Sequence, residues 1–143
     1  MSHSDLRAIS LFSGMGGLDI GARLAGLETA IAVDQEADAL ALLRGELGCP
    51  TFAADLASTP PAKVRERSGL APNDPFVLFG GPPCTGFSHA GFWLDGKRNG
   101  SDPAVSLLGR FGHFIQELKP DAWVLENVPG LTFKTYRPQL EAF

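Results

Sequence analysis

Cys84 stands in Gly80-Gly81-Pro82-Pro83-Cys84-Thr85-Gly86-Phe87-Ser88, directly after the apolar run Pro75–Phe79. Two glycines let the chain turn and two prolines fix the backbone before the thiol. A stiff turn of this kind aims a nucleophile, and backbone N–H groups at such a turn can lower a thiol pKa. A carboxylate partner is available at Glu126, which follows Ala122-Trp123-Val124-Leu125. If that run is a buried strand, desolvation raises the Glu126 pKa, and a protonated Glu can hand a hydrogen bond or a proton to a substrate nitrogen. Two further acids, Asp34 and Asp55, each close a short apolar run. An acid about twenty residues beyond a glycine-rich turn can accept from a ribose. Asp55 can accept from an exocyclic amine, so the pair suggests a nucleoside cofactor, with helix capping as the plainer role for either acid.

These groups need a scaffold that brings them to one edge. Arg7–Phe12 reads as a strand, Ser13-Gly14-Met15-Gly16-Gly17 as a turn, and Leu18–Gly26 as a helix with Leu18, Ala22 and Ala25 at helical spacing and Leu24 beside them. Strand Thr29–Val33 precedes helix Glu36–Leu47, and strand Thr51–Ala54 precedes a short helix over Ala62–Ser68. Strand Phe76–Phe79 leads to the cysteine motif and to a long polar loop over 85–103. Helix Val105–Leu118 and strand Ala122–Leu125 complete the pattern. Alternating strands and helices predict a parallel sheet of about five strands with helices on both faces, an α/β doubly wound fold. Ligands of such sheets sit beyond the carboxyl ends of the strands. The glycine turn, Asp34, Asp55, Cys84 and Glu126 all fall there.

The 143 residues suit one domain, 1–143. With 44% hydrophobic and 20% charged residues, the composition is that of an ordinary globular protein. No apolar run spans a bilayer and no signal-peptide pattern opens the chain, so a cytoplasmic site without membrane contact is expected. Two cysteines, Cys49 and Cys84, are too few for a disulfide framework and are not spaced as a metal site, so no metal is expected. Cys49 reads as a small buried side chain and His113 as structural. The net charge of −4 argues against a broad basic face wrapping nucleic acid. Ser88, His89, Trp93, Lys97 and Arg98, in the long loop, supply local basic and aromatic groups that can meet a phosphate backbone and stack on bases.

Phe12-Ser13-Gly14-Met15-Gly16-Gly17-Leu18, Gly81-Pro82-Pro83-Cys84 with Gly86-Phe87-Ser88, and Glu126-Asn127-Val128 resemble, in order and spacing, the motifs of DNA cytosine-5 methyltransferases. The resemblance implies a Rossmann-like fold of the S-adenosylmethionine-dependent methyltransferase type. It also implies S-adenosyl-L-methionine as methyl donor, leaving as S-adenosyl-L-homocysteine, and DNA as substrate. By similarity, Phe12, Ser13, Gly14, Met15, Gly16, Gly17 and Leu18 line the methionine and adenosine site. Asp34, with Gln35 beside it, is placed at the ribose and Asp55 with Leu56 at the adenine, while Pro83 and Leu107 lie against the cofactor. Cys84 and Glu126 are the implied catalytic pair: Cys84 adds to cytosine C6 of a flipped base while Glu126 stabilises the ring protonated at N3. Asp34-Gln35, Thr85 and the stretch Asp102-Pro103-Ala104 depart from the commonest family residues.

The family carries further motifs: an arginine motif, a target-recognition region and a last segment completing the cofactor site. These 143 residues do not contain them. The chain is therefore expected to be the amino-terminal part of the catalytic domain, inactive alone or dependent on a second polypeptide that supplies the rest. A restriction-modification setting is the expected context. A tRNA cytosine-5 methyltransferase part is one alternative, and an inactive cofactor-binding remnant or assembly module is another.

Overall fold

The computed structural model describes residues 6–83, 103–132 and 137–141. Five strands form one sheet: β1 (Arg7–Leu11), β2 (Glu28–Asp34), β3 (Thr51–Ala53), β4 (Phe76–Gly80) and β5 (Ala122–Leu125). Their order is β3-β2-β1-β4-β5, and every pair is parallel. The helices are α1 (Gly17–Leu24), α2 (Ala37–Leu47), α3 (Pro61–Arg67), α4 (Pro103–Leu118) and a four-residue α5 (Arg137–Leu140), with a 3-10 turn at Pro129–Thr132. The predicted α/β doubly wound parallel sheet is the observed one. Among the described residues, no helix is long and apolar enough to cross a membrane.

Local chemistry explains the element ends. Pro61 opens α3, where its missing N–H would have no partner inside the helix anyway. Gly48 closes α2 in the left-handed region at φ 66, its N–H donating to the Arg44 carbonyl. Parallel strands covered on both faces become continuous apolar runs, and the centre of the sheet follows that rule. Ile9, Leu11, Ile31, Val33 and Leu78 are all but fully buried. They form one cluster with Phe111 and Phe114 of α4 and Val64 of α3. A second cluster, Ala32, Leu40, Leu43 and Cys49, holds α2 on the opposite face.

Two expectations need correction. The α1 stripe was expected at Leu18, Ala22 and Ala25 with Leu24 beside them, but Ala25 is exposed and Leu24 is 85% exposed, whereas the charged Asp19 is completely buried. The helix turns Asp19 toward the sheet because the hydroxyls of Ser10 and Thr29 meet it there. β5 was expected to be a buried strand, but Ala122, Trp123 and Val124 are exposed and so is Glu126. Leu125 packs against the main core and against the cluster of Leu108 and Leu131.

Candidate functional site

The strand order reverses between β1 and β4, and open α/β sheets take their ligands at such a switch point. β1 runs out into Phe12, a bulky residue held in the left-handed region at φ 54. A non-glycine there costs on the order of 1–3 kcal/mol and marks a functional turn more often than an ordinary one. Gly14 follows at φ 51 and Gly16 at φ 87. At Gly16 a Cβ would lie 2.8 Å from Leu43 Cγ and Cδ1, so the turn and α2 approach too closely for a side chain.

The turn is fastened to the end of β2. The Ser13 N–H donates to the Val33 carbonyl at 3.1 Å, and the Val33 N–H donates back to Ser13 Oγ at 3.1 Å. The Gly14 N–H donates to Asp34 Oδ2 at 2.8 Å, and the Glu36 N–H donates to Oδ1 at 2.9 Å. Asp34 thus closes a local turn at Glu36, the N-cap of α2, which receives no side-chain cap, and holds the glycine turn as well. A carboxylate has about four acceptor positions, so two remain for a ligand. Asp55 accepts from the Ala57 N–H at 2.8 Å, and its carbonyl receives the Thr59 hydroxyl and N–H.

Phe12, Asp34, Gln35, Ala54, Asp55, Leu56, Gly81, Pro83 and Leu107 line one cavity of about 140 Å³. Seven residues singled out from the sequence therefore share one pocket: Phe12, Asp34, Gln35, Asp55, Leu56, Pro83 and Leu107. Ser13, Gly14, Met15, Gly16, Gly17 and Leu18 do not line it; they form the turn and the start of α1 beyond it, with Met15 70% exposed. The lining combines the carboxylates of Asp34 and Asp55 with the apolar Phe12, Leu56, Pro83 and Leu107, groups able to meet a ligand with both polar and flat apolar parts. Among the described residues, no group of three His, Cys, Asp or Glu side chains comes together as a metal site.

Cys84 lies outside the described residues, as do Ser88, His89, Trp93, Lys97 and Arg98. The backbone leading to Cys84 is described, and it is stitched to the segment after β5. The Glu126 N–H donates to the Gly80 carbonyl at 2.9 Å, and Asn127 Nδ2 donates to the Pro82 carbonyl at 3.1 Å. Asn127 Oδ1 accepts the Val128 N–H at 2.9 Å. A Cβ on Gly81 would stand 2.9 Å from Glu126 Oε2. The carboxylate therefore lies against the backbone three residues before Cys84, and only a glycine leaves it room.

Three contributors were not anticipated. Arg110 of α4 donates to the Leu56 carbonyl at 2.9 Å and the Thr59 carbonyl at 2.8 Å, tying the loop after β3 to α4. A lone cation among Leu108, Phe111 and Phe114 was the available signal. Asn127 is the second, legible only as the neighbour of Glu126. Asp19 is the third; burial pushes its carboxyl pKa up, while hydrogen bonds from Thr29 and Ser10 pull it down. Cys49 is a buried free thiol whose pKa is raised by burial and then by the charge of Asp19.

A five-stranded parallel sheet with an acid-lined pocket at its switch point defines a doubly wound α/β protein with a ligand site at the strand ends. Residues 6–143 match the C-5 cytosine-specific DNA methylase family, and the chain belongs to it. It is 42% identical to the type II methyltransferase M.SacI of Streptomyces achromogenes over 154 residues, covering 99% of this chain and 39% of that protein. It is 37% identical to the type II methyltransferase M.AquIA of a Picosynechococcus strain, covering 95% of this chain and 54% of the relative. The chain thus spans between about two fifths and about half of the length of these relatives. Among solved structures, a candidate DNA modification methyltransferase encoded within an E. coli prophage superimposes with a TM-score of 0.76 at 29% identity, over 97% of this chain and 37% of that one. The DNMT2 of Spodoptera frugiperda shares the fold, with a TM-score of 0.63 at 20% identity over 96% of this chain and 41% of that one.

Proposed function

We propose that residues 1–143 are the cofactor-binding and nucleophile-bearing part of a DNA (cytosine-5) methyltransferase, using S-adenosyl-L-methionine and acting with a further polypeptide segment. The observation that carries this reading is the pocket itself. Phe12, Asp34, Asp55, Leu56, Pro83 and Leu107 come from separate segments and meet at the switch point, beside the backbone that leads to Cys84. At about 140 Å³ the cavity is smaller than the several hundred Å³ usual for a whole ligand, so it suits the base end of a nucleoside and leaves the remainder on the surface of the glycine turn. The residues fit that group. Asp34 keeps acceptor positions for two ribose hydroxyls, Asp55 can accept from an amine, and Leu56, Pro83 and Leu107 offer apolar faces to a ring.

When bound, S-adenosyl-L-methionine supplies an electrophilic methyl group. Cytosine C5 is a weak nucleophile, and the roles of Cys84 and Glu126 answer that problem. The Cys84 thiolate adds to C6 of a base turned out of the helix, which makes C5 electron-rich. Glu126 holds the ring protonated at N3 as that charge develops. After methyl transfer the C5 proton leaves, the bond from C6 to the Cys84 sulfur breaks, and the thiolate is restored. Glu126 is suited to its part because its main chain pairs with Gly80 and its carboxylate lies over Gly81, where there is no side chain to displace it. Ser88, His89, Trp93, Lys97 and Arg98 belong to the DNA-facing loop in this reading. A cytoplasmic, DNA-associated modification enzyme is its setting.

The test is covalent capture. The protein is incubated with S-adenosyl-L-methionine and DNA carrying 5-fluorocytosine, alone and with the polypeptide that supplies the remaining length of a relative. An adduct that disappears in Cys84→Ser and weakens strongly in Glu126→Gln is the expected result. No adduct in either mixture, together with no binding of S-adenosyl-L-homocysteine, would overturn it. An adduct on tRNA in place of DNA would change the substrate and keep the chemistry.

A further inference from the structure

We propose that Asp19 is a positioning residue that sets the glycine-rich turn against Asp34, acting through the hydroxyls of Ser10 and Ser13. The consequence for cofactor binding rests on the reading of that turn and Asp34 as part of the cofactor site.

Asp19 is completely buried in the first turn of α1. A carboxylate in that position is costly unless its oxygens are satisfied, and both are. Ser10 Oγ donates to Oδ2 at 3.0 Å and Thr29 Oγ1 donates to Oδ1 at 2.9 Å. A serine hydroxyl has a single proton. Ser10 commits its proton to Asp19, so toward Ser13 it can only accept. The contact between Ser10 Oγ and Ser13 Oγ, 2.9 Å, is therefore donated by Ser13. Ser13 Oγ also accepts the Val33 N–H at 3.1 Å. The Ser13 N–H donates to the Val33 carbonyl, so the two residues are fastened twice. One residue further on, the Gly14 N–H reaches Asp34 Oδ2.

The buried charge thus orients the hydroxyl protons of Thr29 and Ser10 and, through Ser10, that of Ser13, whose oxygen meets the Val33 N–H beside Asp34. An amide at position 19 keeps one acceptor oxygen; with that oxygen held by Thr29, its NH2 group faces Ser10 and donates where the Ser10 hydroxyl now donates. The Ser10 hydroxyl would reverse toward Ser13. The Ser13 proton would then turn to the Ser10 or Val33 carbonyl, each 3.2 Å away, and at Val33 it would compete with the Ser13 N–H.

The experiment compares Asp19→Asn, Ser10→Ala, the double variant and Thr29→Val. Thr29→Val removes a hydrogen bond from the same carboxylate without touching the route to Ser13. Three quantities are measured: the amide hydrogen exchange and resonance positions of Gly14 and Val33 without ligand, the affinity for S-adenosyl-L-homocysteine, and Tm. Asp19→Asn and Ser10→Ala should each shift both amides, speed their exchange and weaken binding roughly tenfold. The double variant should be no weaker than the worse single one, as expected for groups acting in one chain. Thr29→Val should lower Tm while leaving both amides in place and affinity within about twofold. Loss of affinity in proportion to Tm across all four variants, Thr29→Val included, would overturn the proposal, as would amides of Gly14 and Val33 unmoved in Asp19→Asn. Absence of cofactor binding in the parent protein would defeat the cofactor reading instead, and the amide measurements would still decide the role of Asp19.

Discussion

Gly80 and Gly81 are adjacent, yet a methyl group on each meets a different obstacle. At Gly80 a Cβ would lie 2.5 Å from the Leu11 carbonyl oxygen, which is fixed in the sheet, and 3.1 Å from the Phe111 ring. At Gly81 it would meet the end of a movable side chain, Glu126 Oε2 at 2.9 Å. Gly80→Ala must therefore strain the pairing of β1 with β4, at a cost of about 1–3 kcal/mol. A Tm lower by roughly 5–10 °C is expected in thermal unfolding. Gly81→Ala should leave Tm within about 2 °C, since the carboxylate can swing away. It should nevertheless slow the proposed methyl transfer by tenfold or more, because the displaced group is Glu126. Equal effects of the two substitutions on Tm would contradict this assignment. Two neighbouring glycines look alike in the sequence, and only the positions of Leu11 and Glu126 separate them.

At the scale of elements, α4 does more than cover the sheet. Its apolar face carries Phe111 and Phe114 into the core, and from the same helix Arg110 crosses to the carbonyls of Leu56 and Thr59. The Arg110 guanidinium also lies 5.5 Å from the Phe114 ring, which limits its freedom. The loop bearing Asp55 and Leu56 is thereby held by a helix from a distant part of the chain. Arg110→Met keeps much of the stem and removes both hydrogen bonds, each worth about 1–3 kcal/mol when the donor is charged and the acceptor partly buried. The expected outcome is a KM for the cofactor raised severalfold with kcat nearly unchanged, read in steady-state kinetics of the complemented enzyme. A fall in kcat at constant KM would show that this loop serves the reaction and not binding. The strands and helices themselves were legible, since apolar runs and helical spacing are local properties. The link from Arg110 to Leu56 was not, because a hydrogen bond to a backbone carbonyl leaves no trace in the identity of the accepting residue.

For the whole molecule, the uneven cover of the sheet matters most. β1, β2 and β4 are packed on both faces, but among the described residues β5 pairs on one side only, with β4. Leu125 faces the cluster of Leu108 and Leu131, while Val124, which alternates to the other face, is 52% exposed. On α1, Ile20 and Leu24 are exposed as well. An open apolar edge strand invites pairing with another chain. The protein on its own should therefore self-associate at micromolar to millimolar concentrations, measurable by sedimentation or light scattering. Val124→Lys should reduce that association and change Tm by less than about 3 °C, as for a surface substitution. Unchanged association would place the contact elsewhere.

From residue types and spacing came the α/β alternation and the edge at which the ligand groups gather, and the family came from the resemblance of the motifs at Phe12–Leu18, Gly81–Ser88 and Glu126–Val128. Each follows from local pattern: strand runs end in Asp34, Asp55 and Glu126, and in parallel sheets the carboxyl ends share one side. Four matters were decided only by tertiary packing. Phe12 adopts a left-handed backbone, Asp19 rather than Leu24 turns inward, Arg110 holds the Asp55 loop, and Glu126 stands exposed against Gly81. Burial and hydrogen-bond partners belong to pairs of segments, so a charged residue such as Asp19 reads as surface until Ser10 and Thr29 are brought within 3.0 Å of it.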